Sequence, residues 1–195
     1  MAEPAPCFGA GDPAYLAYHD LEWGRPVGDE RGIYERLCLE GFQSGLSWLT
    51  ILRKRPAFRE AFAGFDPDSV STFGAADVER LLTDAGIVRH RGKIEAAIAN
   101  ARATLALRAG GTPLHELVWA AREDAPGPAP STFAQVPSST AASSALARAL
   151  GQAGFRFVGP TTVYSTMQAC GVVNDHLAGC PVRAEVERER IAHLG

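Results

Sequence analysis

Apolar residues in this chain recur every three to four positions over most of its length, and no stretch alternates with period two for long enough to build a sheet. That periodicity restricts the fold to packed helices, so the class is all-α. Helices are predicted near 30–40, 44–54, 56–63, 75–84, 91–108, 113–122, 142–151 and 160–170. Pro160 after Gly159 suits the first position of the last of these, and Gly171 suits its C-terminal stop. Pro126, Gly127, Pro128, Pro130 and Pro137 stand among serines and threonines over 124–144, which reads as a loop joining two lobes. The run Glu185-Val186-Glu187-Arg188-Glu189-Arg190 is charged enough to fray, and no chemistry is assigned to it. At 195 residues the chain is read as one domain over 1–181 followed by a tail over 182–195.

The composition, 46% hydrophobic and 21% charged, is that of a globular chain, and no apolar run nears the length of a membrane span. A soluble protein is expected, with no membrane partner. The N-terminus lacks the basic start and apolar block of a secretory signal, which places the protein in a reducing cytoplasm where its four cysteines need not be disulfides. Cys38 and Cys170 fall inside helical apolar patterns as small buried hydrophobes. Only Cys7 and Cys180, near the ends, invite a metal reading.

The net charge of −3 argues against a generally basic nucleic-acid binder, but the charge is segregated. Residues 20–40 hold six acids against three arginines, 52–59 hold Arg53, Lys54, Arg55 and Arg59 with no acid, and 81–108 hold five basic residues against two acids. Such flanks suit a polyanion gripped outside a more selective pocket, and they also suit plain solvated helix faces. The segment Val88-Arg89-His90-Arg91-Gly92-Lys93 lies between two predicted helices, near 75–108. Free amides at such a turn, with the positive end of the second helix, bind a phosphate without reading sequence.

Glu40 shares a helical stripe with Ile33 and Leu37, facing inward. An acid on an apolar stripe is paired, protonated or functional. Tyr18, Trp23, Trp48 and Phe8 lie in short segments that can converge on it, and aromatic walls around an acceptor suit a flat, donor-bearing, electron-poor base. Each aromatic taken alone reads equally as core. Cys7 and His19 near one end, with His176 and Cys180 near the other, form a two-cysteine, two-histidine set. Four protein ligands close a tetrahedral zinc to water, which makes such a site structural. Lys54 and Lys93, the only lysines, have no surroundings that mark them for Schiff-base chemistry.

Four ordered blocks resemble the 3-methyladenine DNA glycosylase I family: Ala17-Tyr18-His19-Asp20 with Glu22-Trp23-Gly24; Leu39-Glu40-Gly41-Phe42-Gln43-Ser44-Gly45-Leu46-Ser47-Trp48; Asp84-Ala85-Gly86-Ile87-Val88-Arg89-His90-Arg91-Gly92-Lys93-Ile94; and Phe157-Val158-Gly159 through Met167-Gln168-Ala169-Cys170-Gly171-Val172-Val173-Asn174-Asp175-His176. The likeness covers nearly all of 7–180. It implies a helix-hairpin-helix glycosylase fold with one structural zinc on Cys7, His19, His176 and Cys180, pinning 7–19 to 176–180. It also implies a base pocket of Tyr18, Glu40 and Trp48, with Trp23 nearby and Phe8 on one wall. Gly45, Leu46, Gly86, Val88, Arg89, Arg91 and Lys93 are the expected DNA contacts. The helix 91–108 carries no acid after Glu95, and none follows until Glu116. Many superfamily members place a catalytic aspartate there, and this family lacks it. The family has a tryptophan two residues after the first cysteine. Here Gly9 stands there and the segment to Asp12-Pro13 is one residue shorter, a departure that falls on the wall assigned to Phe8.

The expected activity is hydrolysis of the N-glycosidic bond of 3-methyladenine in alkylated double-stranded DNA, leaving an abasic site, by a monomeric and monofunctional enzyme. Glu40 is the expected catalytic residue, as general base or as the group that recognises the base. The rivals are a non-catalytic zinc-stabilised nucleic-acid-binding module and a zinc hydrolase of small molecules, the latter disfavoured by a closed metal.

Overall fold

The computed structural model describes residues 6–123 and 127–194, the last by its backbone alone. The start of the predicted 124–144 loop, through Pro126, lies outside the described residues. Among those residues there are ten α-helices, two 3-10 turns and no strand.

Helices α1 (Pro13–Leu21), α2 (Glu30–Gln43) and α3 (Trp48–Ala61) are each begun by a side chain that accepts a free amide: Asp12 from Ala14 and Tyr15, Asp29 from Gly32, and Ser47 from Thr50. A 3-10 turn (Ala63–Phe65) and a short α4 (Pro67–Ser71) lead to α5 (Ala75–Thr83) and the long α6 (Arg91–Ala109). After α7 (Leu114–Trp119) come a second 3-10 turn (Phe133–Gln135), α8 (Ala141–Gln152), α9 (Pro160–Ala169) and α10 (Arg183–Leu194).

The core gathers around α2. Ile33, Tyr34, Leu37, Cys38 and Phe42 are buried against Ile94 and Ala97 of α6 and Val163, Met167 and Cys170 at α9. A chain of rings, Phe58–Phe42–Phe62–Phe65, closes the side toward α3. Leu146, Ala147 and Leu150 of α8 belong to the same cluster, so the proline-rich loop does not divide two separate cores as expected.

Three sequence expectations change here. Pro56 lies inside α3 rather than between two helices. A proline forfeits one backbone bond, and the helix continues because Ile51 and Leu52 before it and Phe58 and Ala61 after it are all buried. The segment holding Tyr18 and His19, given no helix from sequence, is α1. The tail is a docked helix, with Val186 fully buried, Arg190 donating to the Gly171 and Val172 carbonyls, and Arg25 paired with Glu185 and Glu189. Gly171 has a φ of +74°, and a Cβ there would meet the Gly24 carbonyl oxygen at 2.6 Å. Only glycine lets these two loops touch.

Candidate active site

A cavity of about 340 Å³ opens beside the N-terminal segment, lined by Phe8, Tyr15, Tyr18, Trp23, Glu40, Gln43, Trp48, Phe133, Ser165 and Gln168, with Cys7 at its edge. Helix α1 brings Tyr15 and Tyr18 to one face, α2 brings Glu40 and Gln43 three residues apart, α3 begins with Trp48, and α9 adds Ser165 and Gln168. The sequence-predicted pocket residues all converge. Tyr15, Gln43, Ser165 and Gln168 were missed, although Tyr15 and Gln43 each lie three residues from a predicted pocket residue on the same helix. Phe133 carries no periodic signal.

The departure at Gly9 has a structural reason. Its φ is +88°, and a Cβ would lie 2.8 Å from the Leu16 nitrogen and the Tyr15 carbonyl carbon on α1. No larger residue fits there without moving the backbone. The tight turn instead directs the Phe8 ring into the cavity, 4.9 Å from Trp23 and 4.8 Å from Tyr15 between centroids.

Glu40 is 6% exposed, and its carboxyl has no hydrogen-bond partner among the described residues. Burial alone pushes its pKa from 4.5 up to about 8. At neutral pH it is therefore mostly a neutral acid, not the ionised acceptor that a glutamate of ordinary pKa would be. Trp48 Nε1 is also buried with no partner. Native interiors leave few such groups unpaired; Glu40 and Trp48 line one cavity, while His115 Nδ1 on α7, also buried without a partner, does not line it. Burial, reinforced by Glu40, raises the Tyr15 and Tyr18 hydroxyls, so both stay protonated.

Against this pocket stands a second cluster. The ligand atoms of Cys7, His19, His176 and Cys180 all lie within 4.8 Å of one another. Cys180 Sγ is 3.4 Å from His176 Nδ1 and 3.5 Å from His19 Nε2, and Cys7 Sγ is 3.6 Å from His176 Nδ1. Two ligands at about 2.3 Å and 2.05 Å from a tetrahedral ion stand about 3.6 Å apart, so the spacing fits a metal. The other ring nitrogens are also set. His19 Nδ1 meets the Asp20 carboxylate at 2.7 Å, and His176 Nε2 donates to the Trp23 carbonyl at 2.9 Å. Each histidine thereby turns its remaining lone pair inward, as outer-sphere partners of metal ligands do. Burial pushes Cys7 up to about 12 and His176 down to about 4, favouring uncharged groups until a cation arrives. Three members of the cluster adjoin a pocket aromatic: Cys7 precedes Phe8, His19 follows Tyr18, and His176 lies 4.6 Å from Trp23 between ring centroids.

The expected DNA contacts lie outside the cavity. Leu46, 42% exposed, tops the α2–α3 turn that Gly45 makes with a φ of +84°. The turn 84–90 joins α5 to α6, and the amides of Val88, Arg89, Arg91 and Gly92 have no hydrogen-bond partner among the described residues. Arg89 is exposed and free of an ion pair, whereas Arg91 meets Glu79 at 2.8 Å. Lys93 departs from expectation. It is buried, and Nζ donates to the Phe42 and Ser44 carbonyls at 2.9 and 2.6 Å, tying the end of α2 to the start of α6. The basic stretch 52–59 is likewise partnered: Arg53 with Asp12, Arg55 with Glu22, Arg59 with Glu35, and Lys54 with the Ala85 and Gly86 carbonyls. Two of these four basic residues, Arg55 and Arg59, are neutralised by the acidic segment 20–40 rather than offered to a polyanion.

Known proteins share this sequence and fold. The model of the methyladenine glycosylase family matches residues 8–184. DNA-3-methyladenine glycosylase 1 of Escherichia coli (strain K12) is 52% identical over 170 residues, covering 87% of this chain and 91% of that protein. DNA-3-methyladenine glycosylase of Haemophilus influenzae is 42% identical over 171 residues, with 87% and 92% covered. Among solved structures, a crystal structure of 3-methyladenine DNA glycosylase I superposes with a TM-score of 0.87 at 49% identity, covering 91% of this chain and 98% of that one. The 3-methyladenine DNA glycosylase I of Staphylococcus aureus, whose structure addresses 3-methyladenine recognition, gives 0.86 at 37% identity, with 94% and 98% covered. Sequence and backbone match over most of the chain, and the protein belongs to the methyladenine glycosylase family.

Proposed function

We infer that this protein is a DNA-3-methyladenine glycosylase that hydrolyses the N-glycosidic bond of 3-methyladenine in alkylated double-stranded DNA and leaves an abasic site. The observation that carries the reading is Glu40, among the described residues the one acid lining an aromatic cavity, buried and without a hydrogen-bond partner. A volume of about 340 Å³ is at the small end for ligand pockets and suits a single base. Methylation at N3 makes the base cationic and already a good leaving group. The enzyme therefore has to take the base from the stack, hold it between aromatic faces and balance its charge. A cation beside Glu40 favours the carboxylate and expels the proton that burial retains. The ionised group then accepts from the exocyclic amine of adenine, where guanine would oppose it with another acceptor. It is also the pocket's candidate general base toward water.

The metal site is read as one structural zinc, because its donors are two thiols and two imidazoles and four protein ligands leave no open position. DNA is read as gripped by the helix-hairpin-helix formed by α5, the turn 84–90 and α6, through its free amides and Arg89, with Gly86, Val88, Arg91, Gly45 and Leu46 at the same interface. The enzyme is read as monofunctional because the Lys54 and Lys93 ammonium groups are held by backbone carbonyls and neither lines the cavity. It is read as a monomer, since the five exposed large hydrophobics among the described residues come from five different segments. A cytoplasmic location fits four free cysteines, and among the described residues no helix is long and apolar enough to cross a membrane.

Chromatography of the bases freed from methylated duplex DNA tests the reading, with borohydride added in parallel. Free 3-methyladenine and no trapped protein–DNA adduct are expected. Absence of released base contradicts the glycosylase assignment, and an adduct contradicts the monofunctional one.

A further inference from the structure

Phe133 lines the pocket from the proline-rich segment, outside the helical frame that supplies most of the other walls. Its backbone is held from several sides. The Ala178 amide, beside the metal ligands, donates to the Pro130 carbonyl at 2.8 Å, and the Ser131 amide donates to the Gln135 side-chain oxygen at 2.6 Å. Val136, which follows the turn, packs against the main core. The ring itself is not drawn in. It stays 45% exposed, with its centroid 6.1 Å from that of Phe8 at an angle of 52°. A single exposed phenyl is ordinary on a protein surface. This one is carried by an anchored turn on the rim of a cavity whose other walls include Phe8, Tyr18, Trp23 and Trp48, and a flat ring entering that cavity covers a face that water now wets.

We propose that Phe133 is a base-contacting residue that closes the outer side of the pocket over the flipped-out base, beside Phe8. The proposal rests on the base-excision reading and deepens it. An aromatic face is needed, both to stack on the purine and to meet its positive charge. Because the turn is tied through Pro130 to the loop carrying Cys180, the metal-pinned ends of the chain also set where this wall stands.

The test is binding of free 3-methyladenine, followed by tryptophan fluorescence because Trp23 and Trp48 line the site, in wild type and in Phe133→Ala, Phe133→Leu and Phe133→Tyr. Affinity for abasic duplex DNA and Tm are measured alongside. Phe133→Ala should bind the base about tenfold more weakly, within the range set by loss of one base–aromatic contact. Phe133→Leu should lose nearly as much and Phe133→Tyr stay within about twofold of wild type, with DNA affinity and Tm unchanged in all three. Wild-type base affinity in Phe133→Ala overturns the proposal alone. So does a loss that Phe133→Tyr shares or that comes with a lower Tm, since Phe133 would then be a prop for the loop. Failure of the wild type itself to bind or release 3-methyladenine overturns the functional reading together with this one.

Discussion

Tyr34 and Glu40 stand on the same helix, α2, and are treated in opposite ways. The Tyr34 hydroxyl, fully buried, donates to the Ala97 carbonyl at 2.9 Å, and nearby Asn100 and Thr104 are likewise bonded to backbone. Glu40, almost as deeply buried, has no hydrogen-bond partner among the described residues, and neither has Trp48 Nε1 on the same cavity. A core pairs its polar groups because an unmade bond costs roughly 1–3 kcal/mol, more for a charge. A site that must capture a ligand keeps them unpaired, and the Cys7, His19, His176 and Cys180 cluster that could hold a metal stands directly behind Phe8, Tyr18 and Trp23.

The largest break in this contrast is expected from Cys180→Ser. Metal content should fall well below one per chain and Tm by on the order of 10 °C, since metal-binding energy is folding energy at a site joining distant chain ends. Base release should fall with them. Full metal content at wild-type Tm removes Cys180 from the ligand set.

Next in size is the effect of pH on stability through Glu40. Its folded pKa, about 8, lies above the ordinary 4.5, so the folded state holds a proton that the unfolded chain releases first. Stability therefore drops as pH rises from 4.5 to 8. Glu40→Gln lacks this dependence, so its Tm should gain several degrees on wild type between pH 5 and pH 8. A constant Tm difference across that window means that the folded protein does not retain the proton.

Tyr34→Phe sharpens the contrast from the core side. It leaves the Ala97 carbonyl unpaired and should lower Tm by roughly 2–6 °C, with base release per folded molecule unchanged. Activity falling as far as in a pocket variant would mean that core and pocket are not separable. The smallest effect expected is that of Arg89→Ala, which should make the salt dependence of DNA binding shallower by about one unit of slope and leave Tm alone. Lys93→Ala should do the reverse, because its ammonium joins α2 to α6.

The sequence carried the helical class, the two cysteine–histidine pairs that the fold brings together and the aromatics that line the cavity, because period and residue type are local properties. It did not carry charge partners. Arg55 and Glu22, 33 positions apart, form two bonds of 2.6 Å, and no pattern along the chain pairs them. For the same reason Lys93 read as a phosphate ligand, when its partners lie near residue 43. Helix α1 was missed because it is short and its inward face is aromatic and histidine-bearing. Phe133 was invisible because a residue in an irregular loop has no period to betray which way it faces. Glu40 was legible as an inward acid on an apolar stripe. Its protonation was not, since that depends on what else fills the pocket.

Glu40 as the group that receives the cationic base is tested most directly by kcat/KM for 3-methyladenine release against pH, in wild type and Glu40→Gln. kcat/KM reports ionisations of the free enzyme. The wild-type value should rise about tenfold per pH unit toward pH 8 and then level off, as the retained proton is lost. Glu40→Gln should lack this rise and lie at least about a hundredfold lower at the plateau. A wild-type profile that is flat from pH 5 to pH 8, or a Glu40→Gln variant that releases the base at the wild-type rate, would contradict the assignment.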